Sequence, residues 1–225
     1  MSAEWFDRES LDRTIQDRIQ KTDVVLDVGC GIRPQAFFVP KLHVLCEPYA
    51  EYLRILQNRY AQRSNVLILQ SRWMEALRAL PDRAVDSVFL VDVIEHLEKE
   101  EGTRLVAECE RLARKQILIF TPLGFMPQDY ASGERDGWGL TGIEWQVHKS
   151  GWTPDDFDAS WRIVGALCRA MADDGLVDHA YDRNRTLVYG LANRAQIRTR
   201  VIEYYLRWPT GQAKGGQVDR PDYFS

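Results

Sequence analysis

The chain predicts an open α/β sheet, mostly parallel, with helices on both faces. Three observations carry that expectation. Short β-branched runs recur over the first 122 residues, helical patterns separate them, and the first run ends in two glycines. ESLDRTIQDRIQ (9–20) places Leu11, Ile15 and Ile19 four apart, as one face of a helix. VVLDV (24–28) is a run of the kind buried on both faces of a parallel sheet. HVLCEP (43–48) reads as a second strand, and Tyr52, Leu53 and Leu56 carry a helical pattern after it. NVLILQ (65–70) is a third strand and DSVFLVD (86–92) a fourth. RLVAECERLAR (104–114) follows as a helix, and QILIFTP (116–122) closes a fifth strand on a proline. In such sheets the ligand lies beyond the carboxyl ends of the strands.

Two later stretches depart from this rhythm. Between Pro122 and Trp152 lies a long segment rich in glycine, tryptophan and charge, with Trp138, Trp145 and Trp152 within it. Loops of that length in a compact domain are usually functional or disordered, and the tryptophans argue against plain disorder. TPDDF (153–157) then reads as a helix start, with Thr153 as N-cap and Pro154 at the first position. WRIVGA (161–166) and LVYGLA (187–192) read as late strands forming an antiparallel edge. The tail from Gly211 reads as loose.

Bulk properties narrow the class. The 225 residues are 45% hydrophobic and 28% charged, the mix of a globular domain with a full core. A net charge of −4 gives no overall attraction to nucleic acid or anionic lipid. No apolar run reaches bilayer length, and the polar, acidic opening MSAEWFDRESLDR is not a signal peptide. Cys30, Cys46, Cys109 and Cys168 are scattered without a CxxC pair, the pattern of reduced, buried thiols in a cytoplasmic protein.

The turn VVLDVGCGIRP decides between two ligands. A dinucleotide turn would carry a third glycine where Pro34 stands, and the Asp27 carboxylate would repel a diphosphate. The same carboxylate suits a ligand bearing an ammonium group. S-adenosylmethionine carries an ammonium and a sulfonium, and no phosphate.

VLDVGCG resembles the first motif of class I S-adenosylmethionine-dependent methyltransferases, and the likeness extends over about residues 20–190. It implies a Rossmann-like, seven-stranded, mostly parallel sheet with an antiparallel edge strand near the C-terminus. The chain then divides into an N-terminal helical segment (1–20), the methyltransferase domain (21–195) with an acceptor loop (122–152), and a C-terminal helix and tail (196–225). The resemblance places Asp27, Gly29, Cys30 and Gly31 against the cofactor. Glu47, eighteen residues after Gly29, would accept both ribose hydroxyls. Ser71 and Arg72 would meet the adenine edge. Trp73 would stack on the ring, with core packing as its alternative. Asp92 closes the cofactor set.

Acceptor chemistry is expected in the loops after strands four and five. There stand Asp92, Glu95 and His96, and then His148. His148 is the preferred general base, because an imidazole titrates near neutral pH; its alternative is to order its own loop. His96 is a second catalytic candidate, or a structural hydrogen bond at a helix start. No residue is assigned to a metal. A rival reading comes from the likeness of D-x-x-E-H followed by a distant histidine to small-RNA 2′-O-methyltransferases, in which such groups hold a divalent ion. Arg183, Arg185, Arg194, Arg198, Arg200 and Arg207 would then meet phosphates, or else form a solvated face. TPLGFMPQDY and HKSGWTPDDF resemble bacterial methyltransferases associated with cell-surface glycan gene clusters, which implies a small-molecule acceptor, an oxygen on a sugar or related metabolite. A non-catalytic cofactor-binding scaffold is the third reading. The acceptor atom and the oligomeric state are not legible.

Overall fold

The computed structural model describes residues 4–6, 8–128, 130 and 133–168, together with strand backbone at 170–172, 175–177, 185–192 and 200–203. Five parallel strands form its centre: β1 (Val24–Val28), β2 (Leu42–Glu47), β3 (Val66–Gln70), β4 (Val85–Val91) and β5 (Ala113–Phe120). Their order across the sheet is β5-β4-β1-β2-β3. Each lies within a few residues of its predicted run. The chain winds outward from β1 through β2 to β3, then returns to place β4 on the other side of β1. The direction of winding therefore reverses between β1 and β4, and the crevice at their carboxyl ends is where such a sheet binds its ligand.

Alternating side chains serve the two faces, as the period of a strand requires. From β1, Leu26 and Val28 join one core with Val88 and Leu90 of β4, while Val25 joins the other with Phe89. On that second side Ile15 and Ile19 are buried against Val25, Phe89 and Leu118. Ile15 belongs to α1 (Arg8–Arg18), and Ile19, four residues on in the predicted spacing, packs in the same core just past the helix end. On the same side, Leu56 of α2 (Ala50–Tyr60) packs on Leu45. The first side receives α3 (Trp73–Arg78) and α4 (Lys99–Leu112) through Leu77, Leu105, Cys109 and Leu112.

Two details differ from the pattern read in sequence. α4 starts at Lys99, five residues before the predicted run, because apolar spacing shows only from Leu105 while the first turn is charged. TPDDF does begin a helical turn with Pro154 at its first position, but it is a 3-10 turn ending at Asp156. The Thr153 backbone N–H donates to the Asp156 carboxylate at 2.7 Å. The C-terminal helix and tail expected over 196–225 lie outside the described residues, apart from strand backbone at Arg200–Glu203. The side chain of Cys168 also lies outside them, whereas Cys30, Cys46 and Cys109 are buried free thiols.

Candidate active site

β1 runs straight into the glycine turn. Gly29 and Gly31 have φ of +62° and +54°, a left-handed backbone that glycine adopts without strain. A side chain on Gly29 would press on Val93, and one on Gly31 would collide with the Trp138 ring. The turn is therefore bare backbone walled by Val93 on one flank and by the long loop on the other.

Two carboxylates flank it, both buried. Asp27 is 1% exposed. Its Oδ2 accepts the Gln35 N–H at 2.6 Å and faces His43 Nε2 at 3.3 Å, while Oδ1 has no hydrogen-bond donor among the described residues. A buried carboxylate oxygen without a donor is costly, and a donor or cationic group on a ligand would relieve it. Glu47 closes β2 and accepts the N–H groups of Gly31 (2.9 Å) and Tyr49 (2.8 Å). Burial pushes its carboxyl up to about 7, against the pull of those two amides. Desolvation also raises the Cys30 thiol, with Asp27 and Glu47 adding to the effect, so that thiol stays protonated.

Beyond β3, Ser71 is half-buried and its carbonyl faces Cys46 Sγ at 3.4 Å. Trp73 opens α3, donates its indole N–H to Glu101 at 3.1 Å and packs on the core, the geometry of the packing alternative. Arg72 is exposed, with its guanidinium 5.4 Å over the Trp145 ring.

The long loop is pinned to both sides of the crevice. On the α2 side, buried Asp136 accepts the N–H groups of Trp138 and Leu140 at 2.9 and 2.8 Å, and the Tyr52 hydroxyl at 2.5 Å. Glu51 accepts the Thr141 N–H at 3.0 Å. Tyr49, Tyr52 and Trp138 stack edge to face in sequence, at 4.7 and 4.9 Å between centroids. None of Gln35, His43, Tyr52 and Asp136 was read as a site residue from the sequence. Each acts through a partner 8 to 84 residues away.

On the other side, β4 ends at Val91; the next residue, Asp92, is a non-glycine at φ +52°, and the chain turns through a 3-10 helix, Ile94–His96. The Ile94 carbonyl accepts the Ser150 hydroxyl and the Trp152 indole N–H at 3.1 and 3.2 Å. The Glu95 carbonyl accepts the N–H groups of Lys149 (2.7 Å) and Ser150 (3.1 Å). His148 is thereby carried onto His96, with ring centroids 4.9 Å apart. Both rings are oriented by a backbone carbonyl: His96 Nδ1 on Val147 at 3.2 Å, His148 Nδ1 on Met126 at 2.7 Å. A carbonyl only accepts, so Nδ1 carries the proton and the lone pair of each neutral ring is on Nε2. Glu95 is 2% exposed. Its Oε2 accepts the Thr121 hydroxyl at 2.9 Å, and Oε1 has no hydrogen-bond donor among the described residues. Burial, and then the charge of Asp92, hold its carboxyl well above the usual range.

Residues 26–120, from β1 to the end of β5, match the family model described as a methyltransferase domain. That match supports an enzyme of the methyltransferase class with S-adenosylmethionine as its cofactor. The buried Asp27 carboxylate, whose Oδ1 has no donor among the described residues, and the bare glycine turn fit that cofactor. Among curated proteins, the chain is similar to protein arginine N-methyltransferase 2 of Candida glabrata, 31% identical over 83 residues. That match covers 33% of this chain and 20% of the relative, so the chain spans about a fifth of the curated protein it matches. A solved structure concerned with converting a disulfide bond into a thioacetal group during echinomycin biosynthesis is 14% identical. It covers 86% of this chain and 82% of its own, with a TM-score of 0.50, which supports the fold. A SAM-dependent methyltransferase from Archaeoglobus fulgidus is 17% identical, over 70% of this chain and 72% of its own, with a TM-score of 0.43. No helix among the described residues is long and apolar enough to cross a membrane.

Proposed function

We propose that the protein moves the S-adenosylmethionine methyl group to a small polar acceptor, an oxygen on a sugar or related metabolite. One observation carries the cofactor half of this reading: the buried Asp27 carboxylate at the glycine turn, with Oδ1 lacking a donor. A phosphate ligand would meet that charge unfavourably, and an ammonium would satisfy it. Gly29, Cys30 and Gly31 supply the bare turn, Glu47 the ribose carboxylate, and Ser71, Arg72 and Asp92 the rest of the rim. Trp73 contributes by packing α3 against α4.

The acceptor enters from the long loop. Trp138 and Trp145 offer aromatic faces there, and Phe125 is exposed on the same loop. His96 and His148 activate the acceptor, each presenting a lone-paired Nε2. The domain runs from residue 21 to 195, behind the N-terminal segment 1–20. Seven strands with an antiparallel edge complete the sheet, a reading supported by backbone pairing of Tyr189 with Phe120 and with Val164.

The test has two parts. In calorimetry, Asp27→Asn keeps an acceptor for Gln35 but loses the charge, and should weaken S-adenosylhomocysteine binding at least tenfold with the fold intact. Unchanged affinity would sink the role given to Asp27, and no binding by the unaltered protein would overturn the methyltransferase reading. A screen of sugars and metabolites with methyl-labelled cofactor then identifies the acceptor. Label passing to RNA, with a steep loss of binding in salt, would favour the nucleic-acid reading. Most of the arginines that would serve it, at 183–207, lie outside the described residues.

A further inference from the structure

We propose that His43 is a positioning residue for cofactor recognition, acting through Asp27. It fixes one oxygen of the Asp27 carboxylate and so presents the other, with its charge, to the ammonium group of the ligand. This role rests on the methyltransferase reading above and deepens its cofactor site.

Strand register places the pair. Val25 lies beside His43, and Asp27 beside Leu45. Alternate residues of a strand share a face, so Val25, Asp27, His43 and Leu45 all point to the side covered by α1 and α2. That layer is apolar around them: Val25, Leu45 and Leu56 are fully buried in it. His43 is itself 5% exposed. An imidazole buried among aliphatic side chains needs a polar partner. The His43 backbone N–H donates to the Asn65 carbonyl, while the ring reaches diagonally from beside Val25 to Asp27, with Nε2 3.3 Å from Oδ2.

The arrangement makes the carboxylate one-sided. Oδ2 meets the Gln35 N–H and the His43 ring, and Oδ1 meets no donor among the described residues. Two donors on one oxygen resist rotation about the Cβ–Cγ bond, so the open oxygen keeps one direction. The Gln35 N–H is a backbone group fixed by its own turn. There the Gln35 side chain accepts the Phe37 N–H at 3.0 Å and donates to the Phe38 carbonyl at 3.2 Å. His43 is thus the side chain through which the sequence orients Asp27. An ionised carboxylate only accepts, so the ring donates from Nε2. A neutral ring does this without bringing a charge. Among the described residues no lysine or arginine pairs with Asp27, which leaves its charge for a ligand cation. At 3.3 Å the bond is long, and it serves direction more than strength.

The test measures S-adenosylhomocysteine affinity by calorimetry in the full chain, in His43→Leu, His43→Gln and Asp27→Asn, and in the double variant Asp27→Asn/His43→Leu, with a thermal midpoint for each. Leucine suits the apolar layer but donates nothing, whereas glutamine carries an amide N–H near the position of Nε2. His43→Leu is expected to weaken binding roughly three- to tenfold, the range of one hydrogen bond. His43→Gln should restore it to within about twofold of the parent, and in the Asp27→Asn background His43→Leu should add less than about twofold, because the two residues share one effect. A merely structural ring would give losses that multiply. Multiplying losses overturn the proposal, as do unchanged affinity in His43→Leu or a glutamine variant as weak as the leucine one. Where His43→Leu does not fold, His43→Asn, too short to reach Oδ2, takes its place, and failure of both to fold overturns the positioning role. A parent that binds no S-adenosylhomocysteine overturns the methyltransferase reading and this role with it. A parent that binds, with any of the adverse results above, overturns the role of His43 alone.

Discussion

The two walls of the crevice are built by different means. The cofactor wall is short-range: Asp27, Gly29 and Gly31 lie within five residues, and Glu47 ends the neighbouring strand. The acceptor wall is long-range. Asp136 meets Tyr52 across 84 residues, Ser150 meets Ile94 across 56, and Lys99 meets Gly151 across 52. Backbone conformation makes the first wall and buried tethers make the second, so substitutions should harm the two in different ways.

The largest effect is expected at Trp152. Its buried ring fills the space against Gly102 and anchors the loop to Ile94. Trp152→Ala should cost about 3–5 kcal/mol, a fall of roughly 10 °C in thermal midpoint for a domain of this size. S-adenosylhomocysteine affinity below the new midpoint should change far less. A midpoint within a degree or two of the parent would mean that the acceptor wall adds nothing to folding.

Glu47 tests the other wall. Its carboxyl titrates at about 7 in the folded protein, above its ordinary 4.5. The folded state thus holds this proton more tightly than the unfolded state does. Glu47 imposes no penalty below about pH 4.5; as pH rises toward 7 stability is lost, by on the order of 3 kcal/mol in full. Glu47→Gln should flatten that slope in pH-resolved denaturation, while removing the carboxylate proposed to hold the ribose hydroxyls. In the parent, cofactor affinity should rise through the same window as the carboxyl ionises. A parallel slope in parent and variant would show that burial does not govern this group.

What was legible in the sequence follows the same division. The five strands and the glycine turn were readable because β-branched runs and the spacing of Asp27, Gly29 and Glu47 are local signals. α3 was missed because six residues are too few to show a helical period, and Trp73 drew attention as a ring instead of a first turn. Tyr52 was read as part of the α2 pattern, but its bond to Asp136 was missed because no local pattern marks a partner 84 residues away. His96 and His148 were named from composition and position, but their approach depends on Lys149 and Ser150 folding back onto the Glu95 carbonyl.

Tyr52→Phe removes one tether without opening a cavity. Asp136 loses its hydroxyl donor in a buried position, and the cost should be about 1–3 kcal/mol. Because Asp136 also holds the N–H of Trp138, the ring over Gly31 should loosen. S-adenosylhomocysteine affinity should then fall severalfold, although Tyr52 is not assigned to the cofactor. Retained affinity with lowered stability would separate the roof from the turn it covers.

The smallest effect is expected at Glu51, the exposed counterpart of that tether. Its carboxylate accepts both the N–H and the hydroxyl of Thr141, and these bonds hold its carboxyl below the usual range. A carboxyl lowered by folding contributes stability above its unfolded value, and that contribution is lost as pH falls through the lowered value. Solvent competes for every partner at this position, so the contribution is small. Glu51→Gln should leave the thermal midpoint within about 2 °C at neutral pH, because the amide oxygen still accepts from Thr141. Amide exchange at Thr141 is the sensitive readout, since that N–H is the bonded group. Faster exchange there in Glu51→Gln, with Leu140 still protected by Asp136, would place the working tether in the buried carboxylate. Equal acceleration at both amides would mean that the exposed and buried tethers open as one unit.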